Sequence, residues 1–468
     1  MTVVPAAARG RRSFSGLTRA ATGSAWLGFT ALVGLAIPVI LFGRSGPFAD
    51  VLLIGLVALI ALVILSITRP EPVFVAAFLL LAVVRIEPAP VDVVFALLIV
   101  ATLMKTRRFA YVPPLIGFSL ALFAILSIAS MVNAPNGGRA LKFEFQTLYL
   151  LILGLWLSGM FENAKLTRRA VKAYVIAALA SAIVAIVALK VPIPARNVFL
   201  WDPERPRALF KDPNVFGPFL VPAAAIMLEE IIRPRLLGWG RNRSLLALMI
   251  LSSGVVFSFS RAAGFNLFIA LATVTLIYAT RARGIASTAR SIGAISVCVM
   301  AGLALLAATN SLGFLQSRSH LEGYDQQRFS TQAEALQRAS QHVLGHGPGA
   351  SEVNLAYSAH SLYARVAYEQ GFIGEGLLIA IIGATLLVAV GSAARDLDLH
   401  GLGSAALLGS WLGLLANSIF VDTLHWRHLW VFAALIWCTS VLRPQAEPGP
   451  DGSESRPAEW QLNAPPRA

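Results

Sequence analysis

Charge is what this chain has least of. Only 13% of its 468 residues are Asp, Glu, Lys or Arg, about half the share of soluble domains, while 57% are hydrophobic. Cysteine is scarcer still: Cys298 and Cys438 each lie inside an apolar run, which argues against a disulfide framework and leaves no thiol metal spacing. The seven histidines form no spacing with Cys, Asp or Glu that reads as a metal site. Strict apolar–polar alternation is also missing, which excludes a β-barrel.

What the chain does have is a series of continuous apolar runs, many of the length needed to cross a bilayer. They fall at about 25–43, 49–67, 72–84, 91–104, 114–132, 142–160, 169–190, 214–231, 244–259, 261–280, 290–309, 363–391, 401–420 and 426–442. They predict an all-α fold, a polytopic transmembrane bundle of about 12–14 spans. The third and fourth runs are short and read as two half-spans around Arg85-Ile86-Glu87-Pro88.

The net charge of +14 and pI near 10.4 would suggest nucleic acid in a soluble protein. Here the basic residues collect in short loops. With the N-terminus inside, loops 105–108, 165–172, 233–243 and 281–290 are cytoplasmic and basic, as the positive-inside rule requires, so no nucleic-acid partner is expected. The tail 1–24 carries Arg9, Arg11, Arg12 and Arg19 and precedes a run without a small-residue cleavage site, which reads as a retained first helix. The tail 443–468 is rich in Pro, Glu, Ser and Gly and is expected to be cytoplasmic and disordered. The remainder divides into a bundle at 25–309 with an outward loop at 190–213, a large outward loop at 310–362, and C-terminal spans at 363–442.

Both outward loops carry arginine against the topological trend. Surface pairing with Asp202, Glu204, Glu322, Asp325 and Glu334 accounts for these residues as readily as does an anionic ligand. In 205–214 (RPRALFKDPN), Asp212 suits an N-cap and Pro213 the first helical position, beside Arg207 and Lys211. A helix N-terminus next to arginines suits phosphate. Pro218 and Pro222 predict a kink or break in that helix, and with it an apolar groove for a lipid chain. In 257–264 (FSFSRAAG), Arg261 lies in apolar sequence and must snorkel, pair or face a polar cavity. In the long loop, 326–342 reads as a short helix with Arg328 at its start, 345–349 (GHGPG) as a tight, flexible turn, and His360 as a candidate base. A helix beginning after His360 would favour neutral imidazole, the form that acts as a general base. Histidines 320, 342, 346, 425 and 428 compete for that role.

In order, Phe210-Lys211-Asp212-Pro213-Asn214-Val215-Phe216-Gly217, Phe259-Ser260-Arg261-Ala262-Ala263, Gly345-His346-Gly347-Pro348-Gly349, Ala359-His360-Ser361-Leu362-Tyr363 and Glu369-Gln370-Gly371-Phe372-Ile373-Gly374 resemble the O-antigen ligase and O-antigen/exopolysaccharide polymerase superfamily of bacterial envelope enzymes. The resemblance covers roughly residues 205–391. It implies a multi-pass enzyme of the bacterial inner membrane whose long loop is periplasmic, performing metal-independent, inverting glycosyl transfer without a cofactor. The implied donor is a glycan on undecaprenyl diphosphate, and the acceptor is the lipid A core or a growing polysaccharide. Membrane lipid and a chain-length regulator are the accompanying partners it implies. By the same resemblance, His360, Arg328 and Arg207 are catalytic, and Lys211, Arg261, Asn214 and Ser361 bind diphosphate or acceptor. Ser361 stands where the family often has asparagine. Two readings from other classes stay open: a secondary anion transporter, suited by intramembrane charges such as Glu369 and Glu375, and a non-catalytic envelope assembly protein. No repeat of the Arg-rich loop or the Gly-Pro-Gly turn appears in the N-terminal half, which weighs against transport.

Overall fold

The computed structural model describes residues 47–105, 112–192, 196–281, 284–319 and 323–440. The N-terminal tail, the first expected span, His320, Glu322 and the chain from 441 onward lie outside these residues. The other thirteen apolar runs each coincide with a helix, so the fold is the expected all-α bundle. Among the described residues seven helices are long and apolar enough to cross a membrane: Pro114–Asn133, Gly137–Met160, Ala164–Leu189, Pro213–Ile232, Arg261–Ala279, Gly284–Ala308 and Leu362–Ala394. The protein is a multi-pass, membrane-embedded helical protein.

The short runs behave as half-spans. Pro70–Leu80 has 11 residues and Pro90–Lys105 has 16. At 1.5 Å per residue these are about 16 and 24 Å long, each less than a hydrocarbon core of roughly 30 Å. The turn between them is tied to a distant loop: the Val84 N–H donates to the Leu209 carbonyl at 2.9 Å, and the Lys211 N–H donates to the Val84 carbonyl at 3.1 Å.

Pro213–Ile232 stands at the centre, with its whole apolar window buried by other helices. The expected break at Pro218 and Pro222 is not there; the helix runs unbroken through both prolines. Enclosure explains this. Neighbouring helices hold the segment on every side, and small residues set the close approaches. A Cβ on Gly217 would lie 2.5 Å from Ser258 Oγ, and one on Gly254 would lie 2.7 Å from Leu220 Cδ1.

The interruption falls instead in Leu362–Ala394, at Gly371, where φ is 72° and ψ is 175°. Only glycine fits, because a Cβ there would meet the Val343 carbonyl oxygen at 2.3 Å. The turn read as flexible closes this break. The His346 N–H donates to the Tyr368 carbonyl and the Gly347 N–H to the Glu369 carbonyl, both at 2.9 Å. Backbone acceptors next to the break are thereby satisfied within protein, as membrane burial demands.

Candidate functional site

Three of the motifs quoted above are helix starts. Asp212 caps Pro213–Ile232 by accepting from the Asn214 N–H at 2.6 Å, with Pro213 in the first turn as expected. Ser260 caps Arg261–Ala279, and Ser361 caps Leu362–Ala394. The first two of these starts meet the loop helix Gly323–Ala339 around a cavity of about 550 Å³, lined among others by Arg205, Asn214, Arg261, Asp325, Arg328 and Phe420.

Each arginine here is oriented. Arg205 donates through Nε to the Ser258 carbonyl at 3.0 Å and through Nη2 to Asn214 Oδ1 at 3.1 Å. Arg261 pairs with Asp325. Arg328 donates from Nη2 to the Phe420 carbonyl at 2.6 Å. Three guanidinium groups against the carboxylates of Asp212 and Asp325 leave the lining net positive, and with the two helix N-termini this suits an anion.

His360 directly precedes the Ser361 cap, with φ at 41°, and its carbonyl accepts from Gln332 Nε2 at 3.3 Å. Burial, and then the Arg328 guanidinium, push its imidazole below the ordinary histidine range, while Asp422 and Asp212 partly oppose them and Arg365 adds to the lowering. These groups together favour the neutral imidazole.

The candidate residues therefore divide. Arg261, Arg328 and Asn214 line one cavity, and His360 lies within electrostatic reach of Arg328. Arg207 is turned aside: its guanidinium sits 5.3 Å from the Trp201 ring, and Nη1 donates to the Lys211 carbonyl at 3.5 Å. Lys211 pairs with Glu87 at 2.7 Å and faces a second, smaller cavity. The Ser361 hydroxyl is engaged with backbone, accepting from the Ala364 N–H and donating to the Ser418 carbonyl, each at 3.5 Å. Arg196, also counter to the topological trend, donates to the Ala188 and Leu189 carbonyls at 2.6 and 2.7 Å and so closes the end of Ala164–Lys190.

The competing histidines among the described residues, His342, His346, His425 and His428, have structural partners. His346 stacks on Tyr368 with ring centroids 4.1 Å apart, and His342 packs edge-on against His346. His425 Nε2 lies 3.0 Å from Thr147 Oγ1, and burial followed by Arg365 pushes its imidazole down to about 3. His428 meets Phe219 edge-on.

Sequence reading missed Arg365. This buried side chain donates from Nε to Glu369 at 3.1 Å and from Nη1 to Asp422 at 2.5 Å, with the Phe143 ring 4.6 Å away. Asp422, held below the usual carboxylate range by Arg365 against the effect of burial, is electrostatically linked to His360. The signal was present as an Arg365/Glu369 pair at i, i+4 inside an apolar run, a placement that costs too much to be incidental. The second cavity, about 200 Å³, is lined by Lys142, Lys211, Glu352, Arg365, Asp422 and His425 among others.

The expected lipid groove near Pro218 and Pro222 is absent, because those residues are fully enclosed. An apolar groove of about 540 Å³ lies instead along Arg241–Phe257, Arg261–Ala279 and Gly284–Ala308, and it shares Arg261 with the 550 Å³ cavity. Among the described residues no group of three His, Cys, Asp or Glu side chains is placed to hold a metal ion.

No protein-family model matches the chain, and a search of curated proteins also finds no match.

Proposed function

We propose that this protein is a membrane glycosyltransferase that moves a glycan from undecaprenyl diphosphate to an acceptor hydroxyl, as an O-antigen ligase or an O-antigen/exopolysaccharide polymerase does. The observation that carries this reading is the junction at Arg261, where a cationic cavity with two helix N-termini meets an apolar groove. A ligand with a diphosphate and a long hydrocarbon chain has this division of character. The motif order supports the same class.

In this reaction the acceptor hydroxyl attacks the anomeric carbon and the bond from that carbon to the phosphate oxygen breaks. The hydroxyl proton passes to His360, and undecaprenyl diphosphate leaves with the negative charge. Arg261 and Arg328 stabilise the charge that develops on the leaving oxygen. Losing one such preorganised donor typically costs about 2.7–4 kcal/mol in the barrier. Arg207 and Lys211 then act at the edge of the site, through Trp201 and Glu87, and not on the diphosphate itself.

The test is complementation of a deletion strain with wild type, His360→Ala, Arg328→Ala and Arg261→Ala at matched membrane levels. Loss of surface-glycan banding with all three supports transfer. Wild-type banding with all three, where the deletion itself has a phenotype, overturns it in favour of transport or scaffolding.

A further inference from the structure

The end of the bundle opposite the 550 Å³ cavity carries a groove that the proposed reaction does not use. It measures about 300 Å³ and lies between Ala164–Lys190 and Arg241–Phe257, walled by Leu179, Ile183, Leu246 and Ile250. Ile183 and Leu246 are exposed, so the groove lies on the outside of the bundle. Trp239 and Arg243 complete its lining together with Ala247, and no acid takes part.

The two helices run side by side in the same direction. Leu189 and Phe257, near their far ends, belong to one apolar cluster. Midway they touch, where a Cβ on Gly254 would lie 2.9 Å from Ala182 Cβ. Lys172 and Arg243 each lie about three turns before that contact, which sets them at nearly one level near the helix starts. Lys172 also shares a helix face with Ile176, Leu179 and Ile183, by spacing i, i+4, i+7 and i+11.

Pairing of the basic residues here is selective. In the loop 233–240, Arg233 pairs with Asp396 and Arg235 with Asp398. The Glu230 carboxylate accepts from the Arg235, Leu236 and Leu237 N–H groups at 2.9, 2.7 and 3.1 Å, which fixes the loop that carries Trp239. Arg243 and Lys172, the two cations at the groove, have no ion-pair partner among the described residues. The positive-inside rule accounts for basic residues at this end, but not for two of them left unpaired at the head of an apolar groove beside an indole. An indole at the membrane edge, free cations at headgroup depth and an apolar channel beneath them match an anionic phospholipid.

We infer that this groove is a binding site for an anionic phospholipid. One acyl chain lies between Leu179, Ile183, Leu246 and Ile250, and the phosphate-bearing headgroup rests on Arg243 and Lys172 beside Trp239.

The test uses the full chain in detergent, titrated with phosphatidylglycerol and in a separate arm with phosphatidylethanolamine of the same acyl chains, and read by native mass spectrometry. Wild type is expected to take up one phosphatidylglycerol about tenfold more tightly than phosphatidylethanolamine. Arg243→Gln and Lys172→Gln should each lower that preference about fivefold, and the double variant should lose it. Ile183→Trp, a change on the exposed wall of the groove, should weaken both lipids. Arg395→Gln removes a charge at the same end of the bundle, outside the groove lining, and should change neither. Equal uptake of the two lipids by wild type overturns the site. So does a preference that survives in the double variant, or one that Arg395→Gln lowers as much as Arg243→Gln does, since both report a general attraction to a basic face. None of these variants touches the 550 Å³ cavity, so either result stands apart from the glycosyl-transfer reading.

Discussion

The Arg261 guanidinium donates to the Asp325 carboxylate, 64 residues further along the chain. The pair fastens the first turn of Arg261–Ala279 to the loop helix Gly323–Ala339 that carries Arg328. Asp325 is nearly covered, whereas 40% of the Arg261 side chain stays exposed, and the residue borders both the cavity and the apolar groove. Arg261 is therefore aimed by Asp325 while keeping a face for ligand. Arg261→Lys retains the charge and loses the fork. We expect it to lower glycan transfer about tenfold, against about 10²–10³-fold for Arg328→Ala, read as product formed per enzyme in reconstituted vesicles.

The pH dependence follows from His360. With His360 as the proposed base, its lowered pKa favours the neutral form, so activity should persist as pH falls through the ordinary imidazole value of about 6.5 and be lost only below it. Removing the neighbouring positive charge in Arg328→Ala should move the acid limb to higher pH. Removing the negative charge in Asp422→Asn should move it lower. Limbs that stay fixed in both variants would show that another group titrates.

Arg427 grips Asp92 with two hydrogen bonds, 2.7 Å from Nε and 2.5 Å from Nη2, joining the first turns of Arg427–Thr439 and Pro90–Lys105. Both side chains are nearly covered. Arg427→Ala leaves a carboxylate in that setting with its main partner gone, which should cost about 3–5 kcal/mol. The double variant with Asp92→Ala should recover part of the loss. Unfolding of the purified protein in detergent with increasing denaturant reads both.

Gly371→Ala should destabilise the protein by at least the roughly 1–3 kcal/mol of a strained backbone, since the added methyl also overlaps the Val343 carbonyl. Gly376, a few residues on, has open space around its Cβ position. Gly376→Ala should therefore be neutral or mildly stabilising in the same unfolding measurement.

Apolar length is a local property, and the helices were accordingly legible from it, down to the half-length pair around Glu87. N-caps are local as well, and Asp212 was found by type and spacing. What the sequence concealed was who meets whom. Arg207 and Arg205 lie two residues apart, and nothing in their order says that Arg205 turns into the cavity while Arg207 packs against Trp201. Pro218 and Pro222 signalled a break that enclosure suppresses, while the real break sat at Gly371, a glycine among many. Arg365 and Glu369 were legible as a local pair at i, i+4, but the third partner, Asp422, joins them only when the loop at 418–426 folds back onto the start of Leu362–Ala394.

The enclosed helix Pro213–Ile232 sets an order for biogenesis. It carries two prolines and the buried acids Glu229 and Glu230. Part of its cover comes from Ser404–Asn417, made nearly two hundred residues later: the Glu229 carboxylate accepts from the Ala406 N–H at 3.0 Å. Until that helix arrives, a nascent chain presents this face and its acid to lipid. A chain that stops before residue 404 lacks this cover, and its Glu229 carboxylate loses the Ala406 N–H as a donor.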